Sequence, residues 1–262
     1  EHELRKLEVY IEEDGDFVLA GQIQGETWED ARFIYEKSYL ENQSHQPVSI
    51  SLPFQEDAFS PFETRCYFEG LLPEGYTRRC VAGWMHVAEE DYLSVLAGLG
   101  NECLGAVRIC EPGAGGCSPS YKKISREELL EFAKEGASKS AQFLAKAHLS
   151  LTGASGKTGL YYDNKDGWYM PFGTAPSTHI VKQSHVRLSG IVANEQLCLR
   201  TAKILGIDVP ESFIISVGTG EHILFATKRF DRLMQEDSRV IDGKKVPFRL
   251  QQEDFAQALG VT

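Results

Sequence analysis

Three charged residues in the second half of the sequence, Lys157, Lys182 and Glu195, are spaced as phosphate-binding chemistry would require. Lys157 ends a loop of small residues that reads Thr-Gly-Ala-Ser-Gly-Lys from Thr152 onward. Small residues let backbone N–H groups come close to phosphate oxygens, and a lysine adds a point charge. The pattern therefore predicts a phosphate-binding loop, and a plain hairpin turn is the alternative.

The end of this loop, Gly156-Lys157-Thr158, matches the last three residues of a Walker A motif. That motif also needs a glycine five positions before Gly156, where this sequence has Leu151. A Walker loop continues into a helix, whereas residues 159–162 have the pattern of a strand. We therefore expect a glycine hairpin between two strands, since a P-loop NTPase would require a helix directly after Lys157.

The second lysine lies in the segment Thr-His-Ile-Val-Lys-Gln, residues 178–183. Strand alternation places Lys182 on the same face as Ile180, which is an inward-facing position for a charge. An edge lysine that extends its amine to solvent is the alternative.

The glutamate lies in residues 190–205, which are predicted to form a helix that Gly206 closes. Several apolar residues lie three, four or seven positions from Glu195, namely Val192, Cys198, Leu199 and Ala202. This spacing puts the carboxylate on the apolar stripe, where a buried charge needs a partner. A first-turn glutamate that the helix dipole stabilises is the alternative.

Residues 222–231 form an apolar run that turns polar at its end, and such a strand end could offer a backbone carbonyl and N–H to a flat base. The glycine hairpin, strand lysine, helix glutamate and exit strand follow one another in the order found in the amino-terminal lobe of a protein kinase. In that lobe a lysine grips the inner phosphates and a helical glutamate holds the lysine.

The elements before these residues indicate a separate segment. Residues 7–11 and 17–19 have strand patterns on either side of the turn Asp14-Gly15-Asp16, and residues 48–52 alternate strictly before Pro53. Helices are expected over residues 59–79 and 91–99. Residues 111–120 contain three glycines and two prolines, which is typical of a linker, and Ser125 with Glu128 forms a capping box for a helix through about residue 135.

We therefore predict an α+β fold with two parts. A small mixed domain covers residues 1–110, a linker covers 111–124, and a kinase-like amino-terminal lobe with a mostly antiparallel sheet covers 125–262. The formal net charge of −11 disfavours direct nucleic-acid binding, because phosphate backbones repel an acidic surface. The six cysteines have no CxxC pair, which favours free thiols in a reducing cytoplasm over a metal site.

These motifs resemble those of HipA-type toxin kinases. In the second part the matching motifs are the loop Ser150–Thr158, the strand Thr178–Lys182, the pair Asn194-Glu195, the run Arg229–Arg232 and the element Gln252–Asp254. In the first part they are Ser49–Pro53, Phe68–Gly75 and Gly100–Val107, which are similar to the domain that precedes the kinase in this family.

The resemblance implies a serine/threonine kinase that uses ATP and Mg²⁺. The implied ATP-binding residues are Thr152, Gly153, Ala154, Ser155, Gly156, Lys157, Lys182, Glu195, Lys228, Arg229 and Phe230. Glu195 would orient Lys182, and backbone groups of the last three residues would hold adenine. Ser150 matches an autophosphorylation position that silences the enzyme. The implied partners are a protein substrate, an aminoacyl-tRNA synthetase in the family, and a small DNA-binding antitoxin.

Phosphoryl transfer also needs one aspartate near the attacking hydroxyl and another that holds Mg²⁺. The family places them in an Asp-x-His-x-Lys-Asn loop and a later Tyr-Asp pair, and neither occurs after Phe230. The catalytic residues and most of the carboxy-terminal lobe are therefore expected downstream of Thr262, with no metal ligand in this chain. The alternative is a non-catalytic interaction module, or half of a split kinase, that binds an antitoxin-like partner.

Overall fold

The structure is a computed structural model, and it describes residues 4–114, 118–151, 156–184, 188, 190–219 and 222–261. The fold is mixed α+β and contains several antiparallel sheets. The strands are β1 (Arg5–Glu13), β2 (Asp16–Gly25), β3 (Arg32–Tyr35), β4 (Val107–Cys110), β5 (Ser120–Lys123), β6 (Lys157–Asp163), β7 (Gly167–Phe172), β8 (His179–Gln183), β9 (Ser212–Val217), β10 (His222–Lys228), β11 (Arg232–Leu233), β12 (Val240–Ile241), β13 (Lys244–Lys245) and β14 (Phe248–Arg249). The helices are α1 (Lys37–Leu40), α2 (Pro61–Glu69), α3 (Gly75–Met85), α4 (Tyr92–Leu99), α5 (Arg126–Glu135), α6 (Ala137–Ala147), α7 (Ile191–Ile204) and α8 (Phe255–Leu259).

The first sheet has four strands in the order β3-β2-β1-β4. The predicted hairpin is confirmed, because β1 and β2 pair antiparallel around Asp14 and Gly15. Both turn residues have positive φ, 50° for Asp14 and 91° for Gly15, a conformation that aspartate and glycine adopt most readily. The buried apolar side chains of β1 and β2 belong to the same core as those of α2 and α4.

The strand expected at residues 48–52 is wrong. Ser49 and Leu52 form an isolated bridge in which the Leu52 N–H donates to the Ser49 carbonyl at 3.1 Å, so the segment is a turn. A strand would put Val48, Ile50 and Leu52 on one face, but Val48 and Leu52 are buried while Ile50 is 75% exposed. The Tyr35 hydroxyl holds the two ends of the turn, because it accepts from the Val48 N–H and donates to the Leu52 carbonyl.

The helical patch expected at residues 59–79 is two helices, α2 and α3, which residues 70–74 separate. Pro73 lies in this connection and cannot donate a helical hydrogen bond. The helix expected at residues 91–99 is confirmed as α4, with Asp91 as its N-cap.

The second sheet has six strands in the order β5-β7-β6-β8-β10-β9, and every pairing in it is antiparallel. Its edge strand β5 lies within the segment that composition assigns to the linker. The capping box at Ser125 and Glu128 is confirmed at the start of α5, which ends at Glu135 as expected. Strand β6 begins at Lys157, so a strand and not a helix follows the lysine of the glycine loop.

One continuous hydrophobic core joins the two sheets, from Leu7 and Val9 in the first to Leu224 and Ala226 in the second. The glycine-rich stretch near residue 115 therefore separates two segments of sequence whose apolar side chains pack together. Among the residues that the structure describes, no helix has the length and apolar character needed to cross a membrane.

Candidate nucleotide-binding site

A cleft of about 270 Å³ opens over the face of the six-stranded sheet that carries Lys182. Strands β6, β8 and β10 form its floor and α7 forms one wall. Its lining is Leu104, Leu151, Lys157, Ile180, Lys182, Glu195, Leu199, Pro210, Thr227, Lys228, Arg229, Phe230, Asp231 and Gln252. The structure thus brings both predicted lysines, the predicted glutamate and the end of the exit strand to one place.

Lys182 and Glu195 form an ion pair in this cleft, with 2.6 Å between Nζ of the lysine and Oε1 of the glutamate. The lysine lies on β8 with Ile180 on the same face, as the alternation predicts, and the glutamate reaches it from the first turns of α7. Both side chains are partly exposed, at 23% and 34%. The pair therefore keeps access to solvent and to a ligand.

Lys157 is the direct cross-strand neighbour of Lys182, so the two ammonium groups face the same cleft. Burial, and then the charge of Lys182, lower the pKa of Lys157 from its usual 10.5 to about 8, although Glu195 and Glu74 act in the opposite direction. An anion bound beside Lys157 would favour its charged form and offset this effect.

Helix α7 spans Ile191–Ile204 and confirms the predicted helix, but its apolar stripe is narrower than predicted. Val192 is buried, Leu199 and Ala202 are half-buried, and Cys198 is exposed. The reason is geometric, because Cys198 lies about 240° around the helix from Val192 at about 100° per residue. Glu195 is accordingly half-exposed, and it has the partner that the prediction required.

The segment Lys228–Phe230 ends the cleft where β10 leaves the sheet. The Lys228 N–H donates to the Glu211 carbonyl at 2.8 Å, and the Arg229 N–H donates to the Thr178 carbonyl at 2.9 Å. The backbone of Lys228–Phe230 is expected to hold adenine. Two of its three N–H groups, those of Lys228 and Arg229, are already bonded to carbonyls of the chain. The Arg229 side chain is fully buried, and Phe230 is 73% exposed.

Of the predicted phosphate loop, Thr152–Ser155 lie outside the residues that the structure describes. The flanking residues are described, and Gly156 accepts a hydrogen bond from the Gln183 N–H at 3.2 Å. Ser150 is fully buried, and its hydroxyl donates to the Leu71 carbonyl at 2.6 Å.

Two residues of the first segment, Glu102 and Leu104, belong to the neighbourhood of the cleft, and the sequence reasoning did not include them. Leu104 lines the cleft. The Glu102 carboxylate is buried and forms ion pairs with Arg229, which lines the cleft, and with Arg232 and Arg249. A glutamate after a helix gives no local signal of such partners, because they lie 127, 130 and 147 residues away.

A metal ion has no evident site in the described part of the chain, where no group of three or more histidine, cysteine, aspartate or glutamate side chains could hold one. Asp231 lines the cleft, but its carboxylate accepts hydrogen bonds from the Arg229 guanidinium and from the Gly105 N–H. The carboxylates near the cleft are therefore used in ion pairs.

Comparison with known proteins gives two family matches. Residues 7–110 match the HipA N-terminal domain, and residues 149–262 match the HipA-like C-terminal domain. The protein Y4mE of Sinorhizobium fredii is 30% identical over 93% of this chain and 57% of its own length. The serine/threonine-protein kinase toxin HipA of Shewanella oneidensis is 27% identical over 83% of this chain and 48% of its own length.

The fold is also similar to a solved structure of the Shewanella oneidensis toxin–antitoxin system, which contains HipA, HipB and operator DNA. The TM-score is 0.74 at 24% identity, and the match covers 98% of this chain and 56% of that chain. The chain thus spans about half the length of the relatives that it matches. With matching domains at both ends and relatives aligned along most of its length, the chain belongs to the HipA family.

Proposed function

We propose that this chain forms the ATP-binding part of a HipA-like serine/threonine kinase. The observation that carries the proposal is the Lys182–Glu195 ion pair at 2.6 Å inside the cleft. A glutamate on a helix that holds a strand lysine toward the phosphates is the arrangement that protein kinases use. Support also comes from the relative in Shewanella oneidensis, which is named as a serine/threonine-protein kinase.

In this proposal the two lysines meet the phosphates of ATP. Lys182 donates to a phosphate oxygen while Glu195 fixes its position, and Lys157 adds a second charge from the neighbouring strand. Residues 152–156 would surround the phosphates with backbone N–H groups. The adenine ring would lie against Leu104, Ile180 and the end of β10, where the Phe230 N–H would be its donor because those of Lys228 and Arg229 are already bonded.

The complete reaction would transfer the γ-phosphoryl group of ATP to a serine hydroxyl of a protein. The new bond forms between the serine oxygen and phosphorus, the bond to the β-phosphate oxygen breaks, and the hydroxyl proton passes to a base. Mg²⁺ would neutralise phosphate charge, but the described residues offer no cluster for it. In this chain we therefore assign residues to nucleotide binding alone.

Ser150 is the proposed autophosphorylation site. Its hydroxyl is buried and bonded to the Leu71 carbonyl, so phosphorylation requires that the segment before the glycine loop first leave its place. A phosphate carries a charge of about −2 and does not fit a buried site without a cation. Phosphorylation of Ser150 would therefore hold the loop out of the nucleotide site.

The proposed partners are a protein substrate and a small DNA-binding antitoxin. The Shewanella oneidensis relative is found with HipB and operator DNA. The net charge of −11 in the present chain favours contact with DNA through such a partner over direct contact.

Titration of ATP·Mg²⁺ by isothermal calorimetry tests the proposal, with Lys182→Ala as the variant and Lys203→Ala as the matched control. Lys203 is an exposed lysine of the last turn of α7 and lies outside the cleft lining. Loss of a charged hydrogen bond weakens binding by about tenfold to hundredfold, so we expect that change in Lys182→Ala alone. Equal affinity of wild type and Lys182→Ala would contradict the assignment.

A further inference from the structure

We propose that Glu102, a residue of the first segment, is a positioning residue that fixes the base-binding segment Lys228–Phe230 relative to the chain entering the glycine loop. The inference rests on the proposed nucleotide site and extends it, because Glu102 lies outside the cleft lining. Glu102 would act through other residues. Its side chain would hold the base-binding edge of the site, and its backbone would hold the phosphate edge, where the chain enters the glycine loop.

The side chain of Glu102 reaches the base-binding edge. Its Oε1 atom accepts hydrogen bonds from the Ser177 N–H at 2.9 Å, the Arg232 guanidinium at 2.9 Å and the Arg229 guanidinium at 3.4 Å. Ser177 adjoins Thr178, whose carbonyl holds the Arg229 N–H. Oε1 of Glu102 therefore holds residues on both sides of the hydrogen bond between the Arg229 N–H and the Thr178 carbonyl, which lies at the end of β10.

The backbone of Glu102 reaches the phosphate edge. Its N–H donates to the His148 carbonyl at 3.3 Å, and its carbonyl accepts from the Ser150 N–H at 2.9 Å, so that Glu102 and Leu149 form a parallel bridge. Leu151, two residues further along, lines the cleft. One residue thus sets the distance between the two edges that would hold base and phosphates.

The charge of Glu102 is what holds the arginines together. Burial by itself would raise the pKa of the carboxyl, but the guanidiniums of Arg232, Arg249 and Arg229 outweigh burial and hold the pKa well below its usual range. An amide in its place would leave three buried cations facing each other with one fewer anion among them. Repulsion between Arg229 and Arg232 would then displace the base-binding segment.

Glu12 provides a matched control within the same buried network. Its carboxylate is also buried and accepts from the Arg249 N–H at 2.9 Å and from the Arg249 guanidinium at 2.5 Å. Among the described residues, the hydrogen bonds of the Glu12 carboxylate involve only Arg249, and none involves Ser177, Arg229 or Arg232. Glu12→Gln therefore removes a buried charge of the network without touching the base-binding segment.

The first measurement is amide hydrogen exchange of residues 226–232 in the ligand-free proteins. Glu102→Gln should raise exchange there by about tenfold or more, since a tenfold change in an opening equilibrium is the smallest loss expected for a charged hydrogen bond. Glu12→Gln should leave exchange of these amides within about twofold by the same reasoning. Unchanged exchange in Glu102→Gln, or equal increases in both variants, would overturn the proposal.

The second measurement compares the affinities for ATP and for tripolyphosphate, which lacks the base. A displaced base-binding segment should weaken ATP by about tenfold and tripolyphosphate by less than about twofold. A merely structural role predicts equal losses for both ligands. If wild type bound neither ligand, the proposed function would fail, while the exchange result would still decide whether Glu102 positions the segment.

Ser177→Ala is the alternative variant for both measurements if Glu102→Gln does not fold. It removes a hydroxyl that donates to Glu102 at 3.0 Å and accepts from Arg229 at 2.9 Å, and it leaves every charge in place. Ser177→Ala should also weaken ATP binding more than tripolyphosphate binding, but by a smaller factor than Glu102→Gln. Equal behaviour of Ser177→Ala and wild type in both measurements would also overturn the proposal.

Discussion

Two sets of ion pairs lie a few residues apart in this molecule and differ in almost every physical respect. Lys182 and Glu195 form a single pair with both side chains partly exposed. Glu102 and its three arginines are almost completely buried, and Glu12 and Asp231 extend the same network. The first pair faces a cleft, whereas the second set is buried and joins residues of the first segment to residues of the second.

The difference in burial decides what each set can do. A partly exposed ion pair loses little hydration when the chain folds and adds little to its stability. Either side chain can therefore leave its partner and bind a ligand at small cost. A buried network has lost its hydration, and removal of one member leaves an uncompensated charge. The exposed pair is therefore suited to the proposed nucleotide binding, and the buried network connects the two parts of the chain.

The largest effect should come from Arg249→Ala. Arg249 is bonded to both Glu12 and Glu102, so its loss leaves two buried carboxylates with fewer partners. We expect the free energy of unfolding to fall by about 3–5 kcal/mol, measured by urea denaturation. Arg239→Ala is the control, because Arg239 is 43% exposed and 3.9 Å from Glu12, and its change should stay within about 0.5 kcal/mol. Comparable losses in the two variants would remove the distinction between buried and exposed partners.

Acid should weaken the buried network. The arginines outweigh burial and lower the pKa values of Glu102 and Asp231, so these groups contribute stability that is present above the usual carboxyl pKa and is lost as pH falls toward the folded value. Each carboxyl adds a slope of about 1.4 kcal/mol per pH unit below about pH 4.5. Unfolding free energies from about pH 6 to 3 should therefore fall more gently in Glu102→Gln than in wild type, and parallel curves would contradict this.

The lowered pKa of Lys157 should make phosphate binding depend on pH. The free protein loses the Lys157 proton above its pKa of about 8, whereas a bound phosphate favours the charged form, so binding takes up a proton. Affinity for ATP should fall by up to about tenfold between about pH 7.5 and 9, because Lys157 loses its proton over this range in the free protein. Lys157→Arg keeps its charge over this range and should give a flat profile. Calorimetry in two buffers measures the proton uptake, and identical profiles would refute the assignment.

The smallest effect concerns stability at the exposed pair. Lys182→Met and Glu195→Gln should each change the free energy of unfolding by less than about 1 kcal/mol, and their coupling in a double-mutant cycle should be about 0.2–1 kcal/mol. The measurement is urea denaturation of the two single variants and the double variant. A coupling as large as that expected at Arg249 would show that the pair serves the fold more than a ligand.

Local patterns in the sequence predict the pairing of Lys182 with Glu195, although they place both side chains at inward positions and both are partly exposed. The alternation around Lys182 and the helical period around Glu195 each fix a face, and Gly206 fixes where α7 ends. The same kind of local evidence gave the Ser125 cap, whose partner is three residues away.

Other features depend on contacts that no local pattern contains. Glu102 has partners more than 120 residues away, and nothing near it in sequence distinguishes it from an exposed glutamate. The alternation at residues 48–52 predicts a strand, but the segment is a turn that buries Val48 and Leu52 and leaves Ile50 exposed. Backbone groups of Lys228–Phe230 are expected to hold adenine, and no local pattern shows that the N–H groups of Lys228 and Arg229 bond to the carbonyls of Glu211 and Thr178.

The parallel bridge between Glu102 and Leu149 has a consequence for dissecting the protein. The two matched domains are separable in sequence, yet a strand segment of the second takes backbone partners from the first. A nick introduced by a protease near residue 115 should therefore yield two fragments that migrate together through gel filtration. Each fragment expressed alone would carry unpaired backbone groups and an uncovered core, so the two parts should be exchangeable between relatives only as a pair.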